Sequence, residues 1–492
     1  MVMMISFENT FSSLPASLYS VVNPTAVRQP HLIRLNDRLA EELGLDAQWL
    51  RTADGLAALS GNAVVSGSRP IAFAYAGHQF GNFVPQLGDG RAILLGEVVG
   101  RDGTRRDIQL KGAGRTPYSR RGDGRAALGP VLREYIVSEA MNAFGVPTTR
   151  ALAAVATGDR VQRETGLPGA VLTRVAASHI RVGTFQYAAA RGDAEALRRL
   201  ADYVIARHFP QAGDADNRYL SMFDHVVRAQ ANLVAHWMSL GFIHGVMNTD
   251  NMAISGETID YGPCAFMDIY DPAKVFSSID QFGRYAFGNQ PRVAAWNLAR
   301  LAETLLPLID EKQERAVTLV QEMLGGFREM FEEAHLRRMR KKLGLSTENP
   351  EDARLVEDLL EAMHQDQADF TLTFRSLSSL PADESGPGRL TDLFSDPKRI
   401  VAWHNRYEAR LLLDPVSPQE RGQAMLQINP RFIPRNHRIE SVIRAAVYEN
   451  DYAPFHGLVR VLATPFSDEP VDGGYELPPR PDEEVLQTFC GT

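Results

Sequence analysis

The stretches HGVMNTDN at residues 244–251 and DYG at residues 260–262 decide the predicted fold. They follow an apolar pattern with helical spacing, which predicts a long helix over about residues 223–240. The side chains of Asn251 and Asp260 carry oxygen atoms, which are the ligands that magnesium prefers in proteins. The spacing therefore predicts a polar loop, held between apolar anchors, that helps to build a magnesium–nucleotide site.

The two stretches also follow the order of the protein-kinase motifs, in which HxDxxxxN in a catalytic loop precedes DFG. Val246 stands where kinases have their catalytic aspartate, and a valine side chain cannot accept a proton. Asp250 is a carboxylate close by in the same loop, so we expect it to be a displaced general base. We expect His244 to be a buried structural histidine and not a catalytic group.

A predicted β-hairpin lies upstream of these motifs and carries a candidate phosphate-binding lysine. Its two strand-like runs, at residues 92–99 and 105–111, are joined by an Asp-Gly turn. Lys111 ends the second run, and Glu134 lies in the helix that Pro130 is expected to open. A strand lysine held by a helix glutamate is the kinase arrangement. The alternative is a solvated lysine and an unrelated surface glutamate.

Two glycine-rich loops border the hairpin and predict an anion site. The first, LGDGR at residues 87–91, includes Arg91 and two glycines, Gly88 and Gly90, whose backbone can approach a phosphate closely. A plain turn before a strand is the alternative, because the third glycine of GxGxxG is absent. The second loop, residues 112–125, contains four arginines in a protein that is acidic overall.

Two further arginines, Arg174 and Arg181, are seven positions apart. If this segment were helical, both side chains would lie on one face and could grip one triphosphate. Structural ion pairs are the alternative for each of them.

Composition limits the classes of function that the chain can have. Its 492 residues include 52 basic and 60 acidic side chains, giving a net charge of −8, which argues against a general nucleic-acid binder. No apolar run reaches the roughly 18 residues of a membrane span, and no signal-peptide pattern is present. We therefore expect a cytoplasmic protein without nucleic-acid or membrane partners. The two cysteines exclude a disulfide-rich scaffold and a zinc site built on cysteines.

The expected fold is α+β, with a bilobal protein-kinase-like core and N- and C-terminal extensions. A length of 492 residues suits about three domain-sized units. The expected parts are an N-terminal extension at residues 1–70, a β-rich nucleotide-binding lobe at 71–190, a helical catalytic lobe at 191–345 and a C-terminal extension at 346–492.

The sequence resembles the selenoprotein O (SelO) family of kinase-fold proteins. The resemblance is carried by FAYAGHQFG at residues 73–81, QLGDGR at 86–91, QLKGAGRTPYSR at 109–120, SHIRVGTF at 178–185, the loop at 244–251, NQP at 289–291 and NPRFIPRNH at 429–437. It implies an enzyme that binds ATP inverted relative to ordinary kinases. Such an enzyme transfers AMP to Ser, Thr or Tyr hydroxyls of proteins and releases pyrophosphate. Transfer of UMP from UTP is also ascribed to bacterial members.

The resemblance implies a role for each matching residue, with ATP as the nucleotide substrate and Mg²⁺ or Mn²⁺ as the metal. Gly88, Gly90 and Arg91 would contact the nucleotide, and Lys111, oriented by Glu134, would hold a phosphate. Asp123 and Gly124 would contact the inverted nucleoside end. Arg174 and Arg181 would grip the outer phosphates. For the chemistry, Asn251 and Asp260 would bind the metal and Asp250 would be the general base.

The resemblance also implies a disulfide between the two cysteines of the chain. Cys264 lies two residues after the DYG stretch, and Cys490 is the third residue from the end of the sequence. In a cytosolic protein such a bond is more typical of a redox switch than of a permanent structural disulfide. As a switch, it would make the C-terminal tail regulatory. Two unrelated thiols are the alternative.

Two alternatives to nucleotidyl transfer stay open. An ordinary kinase would transfer the γ-phosphoryl group; Val246 argues against it, although Asp250 keeps it possible. A pseudokinase scaffold would bind a nucleotide without chemistry. The retained pair of Asn251 and Asp260 argues against a scaffold, which has no need of both.

Overall fold

An antiparallel sheet and a large set of helices make up the fold, which a computed structural model describes for residues 5–379 and 388–489. The structure confirms a mixed architecture of strands and helices. The strands are β1 (Tyr19–Val21), β2 (His31–Leu35), β3 (Ile71–Phe73), β4 (Gly77–Gln79), β5 (Asn82–Val84), β6 (Ala92–Val99), β7 (Arg105–Lys111), β8 (Ala126–Ala127), β9 (Arg150–Gln162), β10 (Gly166–Ala176), β11 (Phe242–Ile243) and β12 (Ala265–Phe266).

The helices precede, cover and follow this sheet along the chain. They are α1 (Asp37–Glu42), α2 (Ala47–Leu50), α3 (Ala53–Ser60), α4 (Leu128–Ala143), α5 (Val182–Ala190), α6 (Ala194–His208), α7 (Arg218–Leu240), α8 (Gln290–Ile309), α9 (Gln313–Gly325), α10 (Phe327–Lys342), α11 (Asp352–Gln365), α12 (Phe370–Ser379), α13 (Gly388–Thr391), α14 (Pro397–Leu411), α15 (Pro418–Leu426), α16 (Asn436–Arg444) and α17 (Ala453–Leu462). A π-helical turn, Ala445–Glu449, follows α16 directly.

The main sheet has the strand order β1-β3-β6-β7-β10-β9-β2, with β8 paired to β10, and every pair of neighbours is antiparallel. Its centre is the predicted hairpin, and both strands have the expected bounds. Successive residues of β6 face opposite sides, so Ile93 belongs to a core with the N-terminal helices and Leu94 to the core around α4. The sheet is therefore buried on both faces.

The two helices expected from the sequence are both present. Helix α4 begins at Leu128, two residues before Pro130, and packs against β9 and β10. Helix α7 begins at Arg218 because the side chain of Asn217 accepts a hydrogen bond from the Leu220 N–H at 3.1 Å. It ends where Gly241 adopts a φ of 71°, as a helix C-terminus requires.

The expectation that Arg174 and Arg181 share a helical face is wrong. Arg174 lies in β10, where it pairs with Gln109 of β7, and Arg181 lies in extended backbone at the N-cap of α5. The β-branched residues Val171, Thr173 and Val175 alternate along this segment and favour a strand. A strand and a turn, not a helix, bring the two arginines to one site.

Within the described ranges, no helix combines the length and the apolar character needed to cross a bilayer.

A buried arginine joins the C-terminal helices to the segment that follows the DYG stretch. The Arg435 side chain is fully buried, and its Nη1 contacts the carboxylates of Asp268 and Asp369, the latter at 2.8 Å. These contacts connect three segments that are far apart in sequence.

We predict that Arg435→Met lowers the free energy of unfolding by about 3–5 kcal/mol, because it leaves the buried carboxylate of Asp369 and the half-buried one of Asp268 without their cation. Urea denaturation followed by circular dichroism measures the loss. The control is Arg480→Met, which removes an arginine from an exposed ion pair and is expected to cost less than about 1 kcal/mol. Equal losses in the two variants would contradict the assignment.

Candidate active site

The carboxylate of Asp260 is bonded to three basic side chains. Its Oδ1 accepts from Lys111 Nζ at 3.0 Å and from Arg174 Nη1 at 2.6 Å, and its Oδ2 accepts from Arg181 Nη1 at 2.6 Å. Burial opposes the charged form, yet Arg181, Lys111 and Arg174 together hold the pKa of Asp260 well below its usual range. Asp260 has a φ of 61°, an uncommon conformation for a residue other than glycine and one that clusters at functional sites.

The structure forms the ion pair expected between strand β7 and helix α4. Lys111 Nζ lies 2.5 Å from Glu134 Oε2, and the other oxygen of Glu134 lies 3.2 Å from Arg174 Nη1. Glu134 is therefore shared by two cations, and its position in the middle of a buried helix fixes both of them.

Arg174 and Arg181 are held by neutral and acidic partners in addition to Asp260. Gln109 Oε1 accepts from Arg174 Nε and Nη2 at 3.1 and 2.6 Å. Arg181 donates to the backbone oxygen of Asp250 at 2.7 Å and lies 3.8 Å from the carboxylate of Asp89. Burial raises the pKa of Asp89, although both arginines oppose this shift. Both arginines thus also fulfil the alternative expectation of structural ion pairs.

Asp250 is a buried carboxylate next to this cluster. Its Oδ2 accepts from Gln79 Nε2 at 3.4 Å, and its Oδ1 is buried without a hydrogen-bond partner. Burial raises the pKa of Asp250 to about 6, against the opposing charge of Arg181. A carboxylate in this state gains and loses a proton near neutral pH, which is what a general base requires.

The loop that carries Asp250 is fixed by a buried histidine. His244 is fully buried, its Nε2 lies 2.9 Å from the backbone oxygen of Ile259, and its backbone N–H donates to Gln290 Oε1 at 3.0 Å. These contacts agree with the structural role expected for this histidine. Asn251 Nδ2 donates to the Val246 backbone oxygen at 2.9 Å, which sets the orientation of the amide.

The residues expected to bind the metal are suitable in chemistry but few in number. Asn251 and Asp260 offer the oxygen donors that Mg²⁺ and Mn²⁺ prefer. In residues 5–379 and 388–489, no group of three or more His, Cys, Asp or Glu side chains converges as metal ligands. Asp260 already pairs with three basic side chains, so a divalent ion would have to share that carboxylate with them.

The glycines of the first loop are required by packing against the second loop. A Cβ atom at Gly88 would lie 2.4 Å from the Tyr118 ring, and one at Gly90 would lie 3.0 Å from the Tyr118 backbone oxygen. The hydroxyl of Thr116 also donates to the backbone oxygen of Asp89 at 2.6 Å. These contacts lock the two loops together and explain the glycines without any bound phosphate.

Asp123 and Gly124 shape the far end of the second loop. The carboxylate of Asp123 lies 3.0 Å from Arg163 Nη1 and accepts from the Arg125 N–H at 2.9 Å. Gly124 has a φ of 70°, and a Cβ atom there would lie 2.1 Å from the backbone oxygen of Gly114. The structure therefore connects Asp123 to Arg163, an arginine that the sequence analysis did not single out.

A cleft of about 650 Å³ opens beside Lys111 and Glu134. Its lining combines basic side chains with apolar and aromatic groups. The lining includes Arg91, Lys111, Arg133, Glu134, Arg163, Leu167, Tyr261, Gly262, Ile443, Tyr448 and Phe489. Several predicted residues thus meet in one opening, together with residues from the C-terminal part of the chain.

The described end of the chain lies next to Cys264. Thr488 Oγ1 donates to the backbone oxygen of Pro263 at 2.6 Å, and the Thr488 N–H donates to that of Phe276 at 2.7 Å. Cys264 itself is buried. Cys490 lies outside the described residues, so the expected disulfide stays a prediction.

A short hairpin next to Asp250 was not predicted to contribute to the site. It consists of β4 and β5, and its residues Gly77 to Gln79 lie against the loop: the His78 N–H donates to Thr249 Oγ1 at 2.7 Å. A Cβ atom at Gly77 would lie 2.6 Å from Asp250 Oδ1. The segment at 73–81 was noted for its resemblance, but nothing in its local pattern places it beside residue 250.

The chain matches one protein family over most of its length. A sequence model of the family described as protein adenylyltransferase SelO matches residues 1–463. The protein nucleotidyltransferase YdiU of Bradyrhizobium diazoefficiens is 61% identical over 486 residues, covering 99% of both chains. That of Rhizobium rhizogenes is 60% identical over 488 residues, covering 99% of this chain and 97% of the relative. That of a Rhodopseudomonas palustris strain is 58% identical over 486 residues, covering 99% of both.

The matching relatives are transferases that act on proteins, as their names state. The chain belongs to the SelO family of protein adenylyltransferases. The family expected from the sequence is thereby confirmed.

We predict that Asp250→Asn stabilises the folded protein at pH 7.5. The folded-state pKa of about 6 lies above the unfolded value of about 3.9, so the ionised side chain destabilises the fold above pH 6. The gain is at most about 3 kcal/mol and disappears as the pH falls from 6 to 4. Urea denaturation between pH 4 and 8 measures it.

The control for this prediction is Asp216→Asn, at an exposed position. We expect the free energy of unfolding of that variant to equal that of the unchanged protein at every pH between 4 and 8. A pH-independent effect of Asp250→Asn would show that the carboxylate is not held in a raised-pKa environment.

Proposed function

We propose that this protein transfers AMP from ATP to Ser, Thr or Tyr hydroxyls of other proteins and releases pyrophosphate. Membership of the SelO family supports the reaction class. The observation that carries the residue assignment is the buried, partly unsatisfied carboxylate of Asp250 beside the basic cluster on Asp260. Asp250 would act on the acceptor hydroxyl, and the basic cluster on Asp260 would bind the nucleotide.

Asp250 would act as the general base. An acceptor hydroxyl is a weak nucleophile until its proton is removed, and a base with a pKa near the working pH removes it most effectively. The unsatisfied Oδ1 of Asp250 is the atom that would accept this proton. The hydroxyl oxygen would then attack the α-phosphorus, and the bond from that phosphorus to the bridging oxygen of pyrophosphate would break.

The basic residues would bind the phosphates and stabilise the leaving group. Arg91, Lys111 and Arg163 line the cleft, so their charges face the space that a nucleotide would fill. Arg174 and Arg181 pair with Asp260, as Lys111 does, and would stabilise the negative charge that develops on the leaving pyrophosphate. Glu134 would keep Lys111 in place.

The remaining nucleotide contacts would come from the two glycine-rich loops, which pack against each other. Gly88 and Gly90 would hold the first loop against the nucleotide, and Asp123 and Gly124 would contact the inverted nucleoside end. The connection of Asp123 to Arg163, which lines the cleft, supports this placement. We extend the proposal to UTP as a second nucleotide donor, since the phosphate contacts do not depend on the base.

Asn251 and Asp260 would hold Mg²⁺ or Mn²⁺ through their side-chain oxygens. Such an ion supplies positive charge that offsets the phosphate charge in the transition state. Because Asp260 is also bonded to Lys111 and two arginines, these side chains would keep its carboxylate ionised and fixed in position.

We also propose that the chain has a kinase-like bilobal core, with the boundaries expected from the sequence at about residues 70, 190 and 345. The sheet and α4 supply Lys111 and Glu134, whereas the segment after α7 supplies Asp250 and Asp260. The ion pairs on Asp260 join these two parts, as expected for a site between lobes.

We predict that label from α-labelled ATP, but not from γ-labelled ATP, reaches a protein acceptor in the presence of magnesium. Asp250→Ala is expected to lower this transfer by about 10²–10⁴-fold while ATP binding is retained, because only the base is removed. Scintillation counting of precipitated protein measures transfer, and fluorescence of an ATP analogue measures binding.

Each alternative gives a different result in this experiment. Label from the γ-position alone would establish a kinase. Nucleotide binding without transfer from either position would establish a scaffold. Unchanged transfer by Asp250→Ala would refute Asp250 as the base.

We propose, in addition, that Cys264 and Cys490 form a reversible disulfide that regulates the enzyme. The contact of Thr488 with Pro263 supports this proposal, because it holds the chain two residues before Cys490 beside the residue before Cys264.

We predict that reductant changes the rate of AMP transfer by the oxidised protein and has no effect on Cys264→Ser. Mass spectrometry of a non-reducing digest is expected to show a peptide that links the two cysteines. Complete alkylation of both thiols in the oxidised protein would contradict the disulfide.

A further inference from the structure

A second opening lies next to the hairpin of β4 and β5. It has a volume of about 570 Å³ and is lined by Phe80, Ile279, Asp280, Gln281, Phe282, Arg284, Asn289, Arg292, Val293 and Trp296. We call it the hairpin groove. It shares no lining residue with the cleft at Lys111.

The hairpin groove is directly connected to the proposed base. The Phe80 N–H donates to Asn248 Oδ1 at 3.0 Å, and the Tyr285 hydroxyl donates to the same oxygen at 2.6 Å. The neighbouring residue Gln79 donates to Asp250 Oδ2. The hairpin that supplies Phe80 to the groove therefore also contacts Asp250 through Gln79.

The groove is cationic. The carboxylate of Asp280 accepts from the backbone N–H groups of Arg284 and Tyr285 at 2.9 and 2.8 Å, so it is committed to the fold. Neither Arg284 nor Arg292 forms an ion pair with a carboxylate among the described residues, and Arg284 Nε is buried without a hydrogen-bond partner. Unpaired positive charge of this kind is unusual in a chain with a net charge of −8.

The same groove is also apolar and aromatic. Phe282 is 96% exposed and Ile279 is 56% exposed, and both lie within five residues of Arg284 in the sequence. The guanidinium of Arg284 lies 4.7 Å from the centre of the Trp296 ring, which holds the charge in place. Exposed aromatic groups beside arginines are typical of surfaces that bind proteins.

The wall nearest Asp250 is held in a strained conformation. Phe80 has a φ of 51° at the tip of the hairpin, and its ring packs on Tyr285 at 5.1 Å between ring centres. The two hydrogen bonds that the Phe80 N–H makes to Asn248 and Tyr285 keep it there. Strain maintained in this way is common where a surface must be preorganised for a ligand.

Building on the proposed function, we propose that the hairpin groove binds an acidic segment of the acceptor protein next to the hydroxyl that is modified. Carboxylates of the acceptor would pair with Arg284 and Arg292, and an apolar side chain would pack on Phe282 and Ile279. The acceptor hydroxyl would then lie at Asp250, while the nucleotide occupies the cleft at Lys111. This proposal assigns substrate selection to residues that take no part in nucleotide binding.

Three synthetic peptides test the proposal. They share one central Tyr and an adjacent Leu and differ only in flanking residues, which are Glu, Gln or Lys. We expect the Glu peptide to have a KM for AMP transfer about tenfold below that of the Gln peptide, and the Lys peptide to be the poorest acceptor. Added salt should reduce the difference, since the arginines are near the surface.

Arg292→Glu is the informative variant because Arg292 is exposed and its replacement leaves the core intact. We expect it to raise the KM for the Glu peptide about tenfold or more and to leave the KM for ATP unchanged. The control is Arg328→Glu, an exposed helical arginine in α10, which should change neither value. Arg284→Glu should act in the same direction as Arg292→Glu.

A binding measurement separates this proposal from the proposed reaction. Fluorescence anisotropy of a labelled Glu peptide requires no catalysis, and we expect binding that Arg292→Glu weakens about tenfold. Charge-dependent binding without any AMP transfer would refute the reaction and support the groove. Equal KM values and equal affinities for the Glu, Gln and Lys peptides would overturn the groove assignment. It would also be overturned if a single-stranded oligonucleotide bound more tightly than the Glu peptide and lost affinity in Arg292→Glu.

Discussion

The balance of charge around Asp260 is the constraint on which the site depends. Lys111 comes from the sheet, Arg174 from the neighbouring strand and Arg181 from the start of α5. Without Asp260, Lys111 and Arg174 would share the single charge of Glu134, and among the described carboxylates Arg181 would keep only Asp89 at 3.8 Å. Since unpaired buried charges are very unfavourable, the sheet and the Asp250 loop are compelled to meet at Asp260. The backbone of Asp260 is fixed as well, because its oxygen accepts from the Gly262 N–H at 2.8 Å. The proposed nucleotide-binding residues and the proposed base are thus held by one set of ion pairs.

Local sequence signals predicted the elements that carry this support. The Asp-Gly turn defined the bounds of β6 and β7, and apolar spacing together with Gly241 defined α7. The kinase order of the motifs also predicted an ion pair between Lys111 and Glu134, which lie 2.5 Å apart in the structure. These features depend on residues that are close in sequence or on motif spacing, and for that reason they could be read without the fold.

Other features depend on packing between distant segments and could not be predicted. The Tyr118 ring explains Gly88, yet the two residues are thirty positions apart in sequence. The helical arrangement considered for Arg174 and Arg181 does not form, because spacing alone does not reveal that β7 and β9 flank the segment of Arg174. The hairpin beside Asp250 and the role of Arg163 are further contacts across the fold. Sequence patterns predicted which groups of the site are charged, whereas the partners that orient those groups became visible only in three dimensions.

The hydrogen bond from Thr488 to Pro263 has a consequence for how the protein is made. The two residues are separated by 225 positions, so the bond cannot form until residue 488 has left the ribosome. Contacts of such long range close a large loop, which costs conformational entropy. The segment after Asp260 is thus tied to a part of the chain that is synthesised 225 residues later. A chain cut before residue 488 lacks this bond, and the segment next to the candidate site then loses one of its attachments.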